Sequence, residues 1–232
     1  MEQERLKCAL PKGELEKDVL SFIQSIGIDT SASKRNYLVR ADNFPVDFVL
    51  IRASDVPRFV QDKASSLKFG ITGSDIIWES GMGKDSGEEI PIYELNPDAK
   101  KSSLYLGVTQ LFKRYLQRID VEIQDLQNSR VATKLPRIAG EYFTKKGIET
   151  KLLFVPGADE AMQYLFPDCN AILGVISSGE TARANNIDVL DIFYDVSLRF
   201  IADADKMTPI DVNILNEFRE KIAVARERKR ML

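Results

Sequence analysis

The segment Ser177-Ser178-Gly179-Glu180-Thr181 carries residue types that suit a phosphate site. It follows an apolar run that predicts a strand, and it precedes a segment with helical composition. A turn between a strand and a helix directs backbone N–H groups and the positive end of the helix dipole at one point, here among three hydroxyl groups. The alternative is a capping box of Ser177 and Glu180 without a ligand. Capping boxes are far commoner than phosphate sites, so the loop alone favours the cap.

The absence of histidine from the chain removes several chemistries at once. A Ser-His-Asp or Cys-His nucleophile system and a histidine-based zinc site are excluded. A divalent metal must therefore be a hard ion bound through oxygen. Mg²⁺ brought in by a phosphorylated substrate fits this restriction best.

Composition limits the class of protein further. The chain has 232 residues and a net charge of −3, which gives no electrostatic reason to expect a nucleic-acid partner. No apolar run approaches the roughly 20 residues needed to cross a bilayer, and no secretory signal is visible. Cys8 and Cys169 lie in apolar runs typical of reduced core cysteines, with a disulfide between them as the alternative. We expect a cytoplasmic protein without a membrane partner.

Strand-like and helix-like segments alternate along the chain. Apolar runs predict strands at residues 7–10, 47–51, 67–71, 90–95, 104–109, 130–133, 151–155, 171–176, 189–194 and 197–202. Helical spacing predicts helices at residues 15–26, 111–119, 136–146, 158–165 and 209–230, with shorter helical segments after residues 54 and 75. Glycine and proline among the charges of residues 80–102 predict a loop around the strand at 90–95.

This alternation predicts an α/β fold with largely parallel sheets. Ligands of such sheets bind outside the carboxyl ends of the strands. The turns that follow predicted strands are residues 11–13, 52–55, 72–75 and 177–181. The cations Lys12, Arg52 and Arg183, in or near these turns, would suit a polyphosphate in a shared crevice. For each cation taken singly, a solvated surface side chain is the commoner explanation.

Five stretches of the chain form an ordered set that covers most of its length. They are Ala9-Leu-Pro-Lys-Gly13, Leu50-Ile-Arg-Ala-Ser-Asp-Val-Pro57, Gly70-Ile-Thr-Gly-Ser-Asp75, Arg130-Val-Ala-Thr-Lys-Leu-Pro136 and Ser177-Ser-Gly-Glu-Thr-Ala-Arg-Ala-Asn185. In this order they resemble the ATP phosphoribosyltransferases, the enzymes of the first step of histidine biosynthesis. Each stretch is weakly specific alone, and the ordered set is specific.

The resemblance implies two α/β domains joined by a double crossover, like a type II periplasmic binding protein, with the active site in the cleft between them. Domain I would comprise residues 1–101 and 195–232, and domain II residues 102–194. The family transfers the phosphoribosyl group of phosphoribosyl pyrophosphate to N1 of ATP and releases pyrophosphate, with Mg²⁺ accompanying the donor. A transition state with positive charge on the sugar needs positioning and charge stabilisation rather than a nucleophile, so the missing histidine is no obstacle.

The same resemblance assigns roles to single residues and none to a protein metal ligand. The residues implied to bind substrate are Ser177, Ser178, Gly179, Glu180 and Thr181 at the 5-phosphate of the donor, with Gly73, Asp75 and Arg183 in the remainder of the site. The residues implied to be catalytic are Lys12, Arg52 and Glu160.

The chain departs from the family pattern at several positions. Glu14 stands where the family commonly has Arg, and Lys68 and Gly174 stand where it commonly has Asp. The glycine-rich segment usual near residues 96–103 is also missing. Asp159 or Glu160 could replace the carboxylate missing at Gly174. The departures favour the alternative of a catalytically weak or inactive paralogue that binds a phosphorylated metabolite or serves as a subunit of a hetero-oligomeric transferase.

The length of the chain is similar to that of the short form of the family, which works with a separate regulatory subunit related to histidyl-tRNA synthetase. We therefore expect a homo-oligomer, with a hetero-oligomer containing such a subunit as the alternative. A solute-binding protein of the same fold is disfavoured by the missing signal peptide. The basic last helix is expected to be solvated, with its terminal cations complementing the helix dipole.

Overall fold

The computed structural model describes residues 5–13, 15–30, 36–96, 99, 101–157 and 159–231. The chain divides into two compact units, and it passes between them twice. The first unit contains Met1–Ala99 together with Ser197–Leu232, and the second contains Lys100–Val196. We refer to them as unit 1 and unit 2.

Both units are built from alternating strands and helices. The strands are β1 Leu6–Lys12, β2 Leu38–Arg40, β3 Val46–Arg52, β4 Phe69–Gly73, β5 Glu88–Glu89, β6 Ser102–Thr109, β7 Arg130–Thr133, β8 Lys151–Phe154, β9 Cys169–Ile176, β10 Ile187–Val196 and β11 Leu198–Ala202. The helices are α1 Glu16–Ser25, α2 Val56–Gln61, α3 Ser74–Glu79, α4 Ile92–Leu95, α5 Gln110–Leu116, α6 Pro136–Lys146, α7 Met162–Leu165, α8 Glu180–Ala184 and α9 Pro209–Arg230. Short 3₁₀ segments lie at Ala53–Asp55, Ile123–Leu126, Asp159–Ala161 and Ala204–Lys206.

The sheet of unit 1 has the strand order β2-β3-β1-β4-β11-β5. Its three neighbouring strands β3, β1 and β4 are parallel, so their carboxyl ends meet at one edge. The other strands pair antiparallel with their neighbours. Phe69 of β4 and Phe200 of β11 pack against Phe218 of α9, with ring centroids 6.0 and 6.2 Å from that of Phe218. Phe218 is fully buried, so α9 closes the core of this unit.

The sheet of unit 2 has the strand order β10-β6-β9-β7-β8. β9, β7 and β8 are parallel, and β6 lies antiparallel between β9 and β10. The carboxyl ends of β7, β8, β9 and β10 therefore share one edge with the start of β6. Buried apolar residues fill the inner strands β6, β7 and β9, including Leu106 and Ile172, whereas Phe154 of the outer strand β8 and Ile192 of the outer strand β10 are exposed.

Several expectations about local structure are wrong. The sheets are mixed rather than largely parallel, because β2, β11 and β5 join the sheet of unit 1 antiparallel to their neighbours and β6 lies antiparallel within the sheet of unit 2. The strand predicted at residues 90–95 is absent, and Ile92–Leu95 form helix α4 there. Pro91 precedes its first residue and accepts from the Leu95 amide at 3.2 Å, as at the start of a helix, and an apolar alternation this short does not distinguish the two structures. Strand β2 was not predicted.

Some basic residues of α9, which were expected to be solvated, form ion pairs. Arg226 contacts both carboxylate oxygens of Glu94, at 2.9 and 2.5 Å, and Arg219 reaches Glu88 at 2.8 Å. These contacts join the last helix to α4 and β5, so the charge of the helix serves its docking within unit 1. None of the described helices combines the length and apolar composition needed to cross a membrane.

Candidate active site

The loop of residues 177–181 joins β9 to α8 at the carboxyl edge of the unit 2 sheet. Gly179 precedes the helix with φ 72° and ψ 7°. The Ser178 hydroxyl accepts from the Glu180 amide at 3.3 Å, and the hydroxyls of Ser177 and Ser102 are 2.7 Å apart. A capping box of Ser177 and Glu180 is therefore wrong, because Gly179 holds the N-cap position. The hydroxyls of Ser177, Ser178 and Thr181 remain able to donate a proton to an anion.

The guanidinium group of Arg183 lies back over this loop. Its Nη2 donates to the Ser178 carbonyl at 3.0 Å, and a Cβ placed on Gly179 would lie 3.0 Å from its Nη1. The positive φ favours glycine at 179, and a larger residue would also displace the end of the flexible Arg183 side chain by a few tenths of an ångström. Helix α8 has only 5 residues, so the charge of Arg183 and the loop hydroxyls outweigh its dipole in attracting an anion.

Glu160 lies on the same edge of unit 2, in the 3₁₀ segment that follows β8. Its Oε1 accepts from the Tyr105 hydroxyl at 3.3 Å. Gln163 donates to the carbonyls of Glu160 at 3.3 Å and Asn185 at 2.8 Å, which joins this segment to the end of α8. The structure thus places Glu160 and the serine loop at one edge of one sheet. Burial, followed by the charge of Glu160, raises the pKa of the Tyr105 phenol, so it stays a hydrogen-bond donor at neutral pH.

Asp159 is a buried carboxyl group beside Glu160. Burial raises its pKa to about 7; the charge and backbone N–H of Lys134 oppose this rise, and the charge of Glu160 adds to it. Within the described residues its Oδ1 has no hydrogen-bond partner. A Cβ placed on Gly174 would lie 3.0 Å from its Oδ2. A carboxyl group therefore does stand beside Gly174, contributed by a different segment.

The remaining predicted site residues lie together in unit 1. Lys12 and Arg52 are the last residues of β1 and β3, and they face each other in the parallel register. Gly73 ends the neighbouring strand β4, and Asp75 is buried in the first turn of α3. The Lys12 ammonium lies 3.7 Å from the centroid of the exposed Tyr37 ring. Two exposed cations and one buried carboxylate thus share the carboxyl edge of the unit 1 sheet.

The departure at Lys68 has a structural explanation. Its Nζ lies 2.5 Å from Asp211 Oδ2 at the start of α9, and Asp211 also forms a capping box with Thr208. Although burial opposes it, hydrogen bonds from Lys68 and Thr208 lower the pKa of Asp211. The lysine therefore anchors α9 within unit 1. Glu14, the departure in the first turn of the chain, lies outside the described residues.

Sequence reasoning missed the residues that support these groups. Tyr105 looks like a core residue of an apolar strand, and Ser102 and Lys134 belong to no predicted turn of the site. The sequence indicates Asp159 only as a possible replacement for the carboxylate missing at Gly174. The available signal was its position beside Glu160, after a strand that ends at the ligand edge of the sheet.

Metal binding by protein side chains alone has no support among the described residues. They contain no cluster of three or more Cys, Asp or Glu side chains able to hold a metal ion. Mg²⁺ commonly binds through one or two carboxylates together with substrate phosphates, so Asp159 and Glu160 fit an ion that arrives with a substrate.

Comparison with known proteins identifies the family. The family model of ATP phosphoribosyltransferase, HisG, matches residues 52–223. The chain belongs to this family. An ATP phosphoribosyltransferase of Sulfurisphaera tokodaii is 32% identical over 229 residues, which cover 97% of this chain and 75% of the relative. One from Listeria monocytogenes is 27% identical over 202 residues, or 85% of each chain. The chain is thus a phosphoribosyltransferase, as predicted.

Solved structures agree in fold. The chain of an ATP phosphoribosyl transferase (HisG:HisZ) complex from Thermotoga maritima is 20% identical and superposes with a TM-score of 0.71, covering 96% of this chain and 99% of the other. A Candida albicans protein with the generic periplasmic binding protein fold is 10% identical, with a TM-score of 0.55 and coverage of 96% and 71%. The predicted fold of two α/β domains of the periplasmic binding protein type is confirmed.

Proposed function

We propose that the protein transfers the phosphoribosyl group of phosphoribosyl pyrophosphate to N1 of ATP and releases pyrophosphate, the first step of histidine biosynthesis. The observation that carries this proposal is the serine loop, residues 177–181, placed at the ligand edge of a sheet in a chain of the ATP phosphoribosyltransferase family. In this proposal units 1 and 2 are the two domains of the enzyme.

The serine loop binds the 5-phosphate of the donor. Its hydroxyls donate to the phosphate oxygens, and the first-turn amides of α8 other than that of Glu180, which donates to Ser178, add further donors. Arg183 supplies the positive charge, already held over the loop by its bond to the Ser178 carbonyl. Gly179 provides the backbone geometry that keeps this charge close.

The remaining residues stabilise charge rather than make or break a bond. Glu160, held by Tyr105, lies where it attracts the positive charge that develops on the ribose as the leaving group departs. Lys12 and Arg52 interact with phosphate groups of the substrates, and Gly73 and Asp75 line the same edge of unit 1. Mg²⁺ enters with phosphoribosyl pyrophosphate and neutralises the negative charge of its pyrophosphate group.

Assembly and location are part of the proposal. The fold shared with the Thermotoga maritima chain, which is part of a HisG:HisZ complex, supports a hetero-oligomer with a regulatory subunit related to histidyl-tRNA synthetase. A homo-oligomer is the alternative. Co-purification with such a subunit, followed by light scattering, separates them. The buried free thiols of Cys8 and Cys169 support a location in the cytoplasm.

The direct test mixes the protein with ATP, phosphoribosyl pyrophosphate and Mg²⁺ and follows the absorbance of phosphoribosyl-ATP. Product formation is expected, in proportion to enzyme and dependent on both substrates. Binding of the donor without product, with and without a regulatory subunit, would instead support the alternative of an inactive paralogue.

The loop is tested by calorimetry with phosphoribosyl pyrophosphate and Mg²⁺. The double variant Ser178→Ala/Thr181→Val should bind the donor about 10- to 100-fold more weakly, since it loses hydrogen bonds to a charged group. The matched control Ser21→Ala/Thr144→Val changes an exposed serine and an exposed threonine elsewhere and should leave the affinity unchanged. Equal affinity in wild type and the loop variant would remove the loop from the donor site.

A further inference from the structure

Asp159 combines burial with an incomplete set of hydrogen bonds. Only 4% of the residue is exposed, and its Oδ1 has no partner among the described residues. A buried polar atom without a partner carries a desolvation penalty that neither packing nor local structure offsets. A bound molecule that supplies the missing donor would remove this penalty.

The carboxyl group occupies space that a side chain at position 174 would otherwise take. A Cβ on Gly174 would lie 3.0 Å from Asp159 Oδ2 and 3.4 Å from Tyr105 Cε1. Gly174 is an interior strand residue outside the positive-φ region, so its backbone does not require glycine. What glycine provides here is room for the carboxyl group of Asp159.

The location of this group relates it to the serine loop. Gly174 precedes Ser177 by three residues along β9 and the turn, a path of about 10 Å in extended chain. That is the scale of a sugar phosphate lying along the edge of the sheet with its phosphate in the loop. A carboxylate accepts hydrogen bonds and donates none when ionised, so the hydroxyl groups of a sugar at this edge can serve as its partners.

We propose that Asp159, whose carboxyl group fills the space that Gly174 leaves open, binds the ribose hydroxyl groups of the phosphoribosyl donor. This inference rests on the proposed function, because it requires the 5-phosphate to lie in the serine loop. It assigns Asp159 a substrate contact and Gly174 the role of making that contact possible.

The test compares ribose 5-phosphate with 2-deoxyribose 5-phosphate by calorimetry on the full chain. The wild type should bind the ribose form about 10- to 100-fold more tightly, as expected for a hydrogen bond to a charged group. Asp159→Asn keeps the shape of the side chain and should bind the two sugars within about threefold of each other. The control Asp168→Asn, an exposed carboxylate beyond the opposite end of β9, should keep the wild-type preference.

A second pair of variants tests the shared space. Gly174→Asp should lose the preference, since its Cβ would meet Oδ2 of Asp159 and two carboxylates would compete for one place. Asp159→Ala/Gly174→Asp should regain it. Failure of the double variant to regain the preference, with a circular dichroism spectrum like that of wild type, would overturn the assignment of one shared space.

The outcomes separate this inference from the proposed function. If wild type and Asp159→Asn bind both sugars with the same preference, Asp159 does not contact the hydroxyls, while the loop proposal stands. If wild type binds neither sugar phosphate, the loop proposal and this inference fall together.

Discussion

Replacing Asp159 by Asn should change how the stability of the protein depends on pH. Burial is the main reason that the pKa of this carboxyl group rises from its ordinary value of 3.8 to about 7. The folded state therefore binds a proton that the unfolded state has already released between these two pH values. The free energy of unfolding falls as the pH rises from about 4 to about 7 and does not change further above that range. Asp159→Asn has no carboxyl group at this position, so its free energy of unfolding should not show this fall.

The magnitude follows from the shift. Each pKa unit corresponds to about 1.36 kcal/mol, so the full effect on the free energy of unfolding is about 4 kcal/mol. At pH 5 about a third of this decrease in the free energy of unfolding has already occurred. The stability of Asp159→Asn relative to wild type should therefore improve by about 2–3 kcal/mol between pH 5 and pH 8.

Urea unfolding followed by far-ultraviolet circular dichroism at pH 5 and pH 8 measures this difference. Fluorescence is less suitable, because the single tryptophan, Trp78, lies in α3 of unit 1 while Asp159 lies in unit 2. Asp168→Asn is the control, since it makes the same change at an exposed carboxylate of the same unit. A stability difference between Asp159→Asn and wild type that is equal at the two pH values would refute the reasoning.

Three further predictions concern stability and the loop. Lys68→Met should lower the free energy of unfolding by about 2–4 kcal/mol at pH 7, because it leaves the Asp211 carboxylate without its cation. Since the folded pKa of Asp211 is lowered, this difference from wild type should shrink as the pH falls below about 4. Urea titrations at the two pH values would show a constant difference if the ion pair were irrelevant. Phe218→Ala should cost about 3–5 kcal/mol by opening a cavity in the core of unit 1, whereas a loss under 1 kcal/mol by the same method would mean that α9 contributes little to that core. Gly179→Ala should destabilise the protein by about 1–2 kcal/mol at φ 72° and weaken binding of ribose 5-phosphate in calorimetry, and unchanged binding would argue against the loop geometry.

Local pattern was enough to predict most of the elements. Helices α6 and α9 and strand β7 have the predicted bounds, because their apolar periodicity is long or their ends carry proline, glycine or a cap. Short segments carry too few residues for the two periodicities to differ. The apolar side chains of residues 90–95 are spaced as in a strand, but over so few residues one helical turn shows the same spacing.

The candidate site also contains residues that the sequence predicts and residues that it does not. The serine loop and the turns with Lys12 and Arg52 could be predicted, because each follows a strand and the carboxyl ends of parallel strands form a common edge. The ordered motifs also indicated the family. The supporting residues could not be predicted in this way, since Tyr105 reaches Glu160 across 55 positions of the chain.

The sequence by itself determined the α/β class, the family and the loop that suits a phosphate, because each depends on residues close together in the chain. Only the tertiary structure decided the mixed order of the sheets, the ion pair of Lys68 with Asp211 across 143 positions, and the place of Asp159 beside Gly174. These depend on strand order and register, which are set by the packing of the whole core rather than by any local segment. The reversed charge at Lys68 and the missing carboxylate at Gly174 look like losses in the sequence. The fold places Asp211 beside the first and Asp159 beside the second.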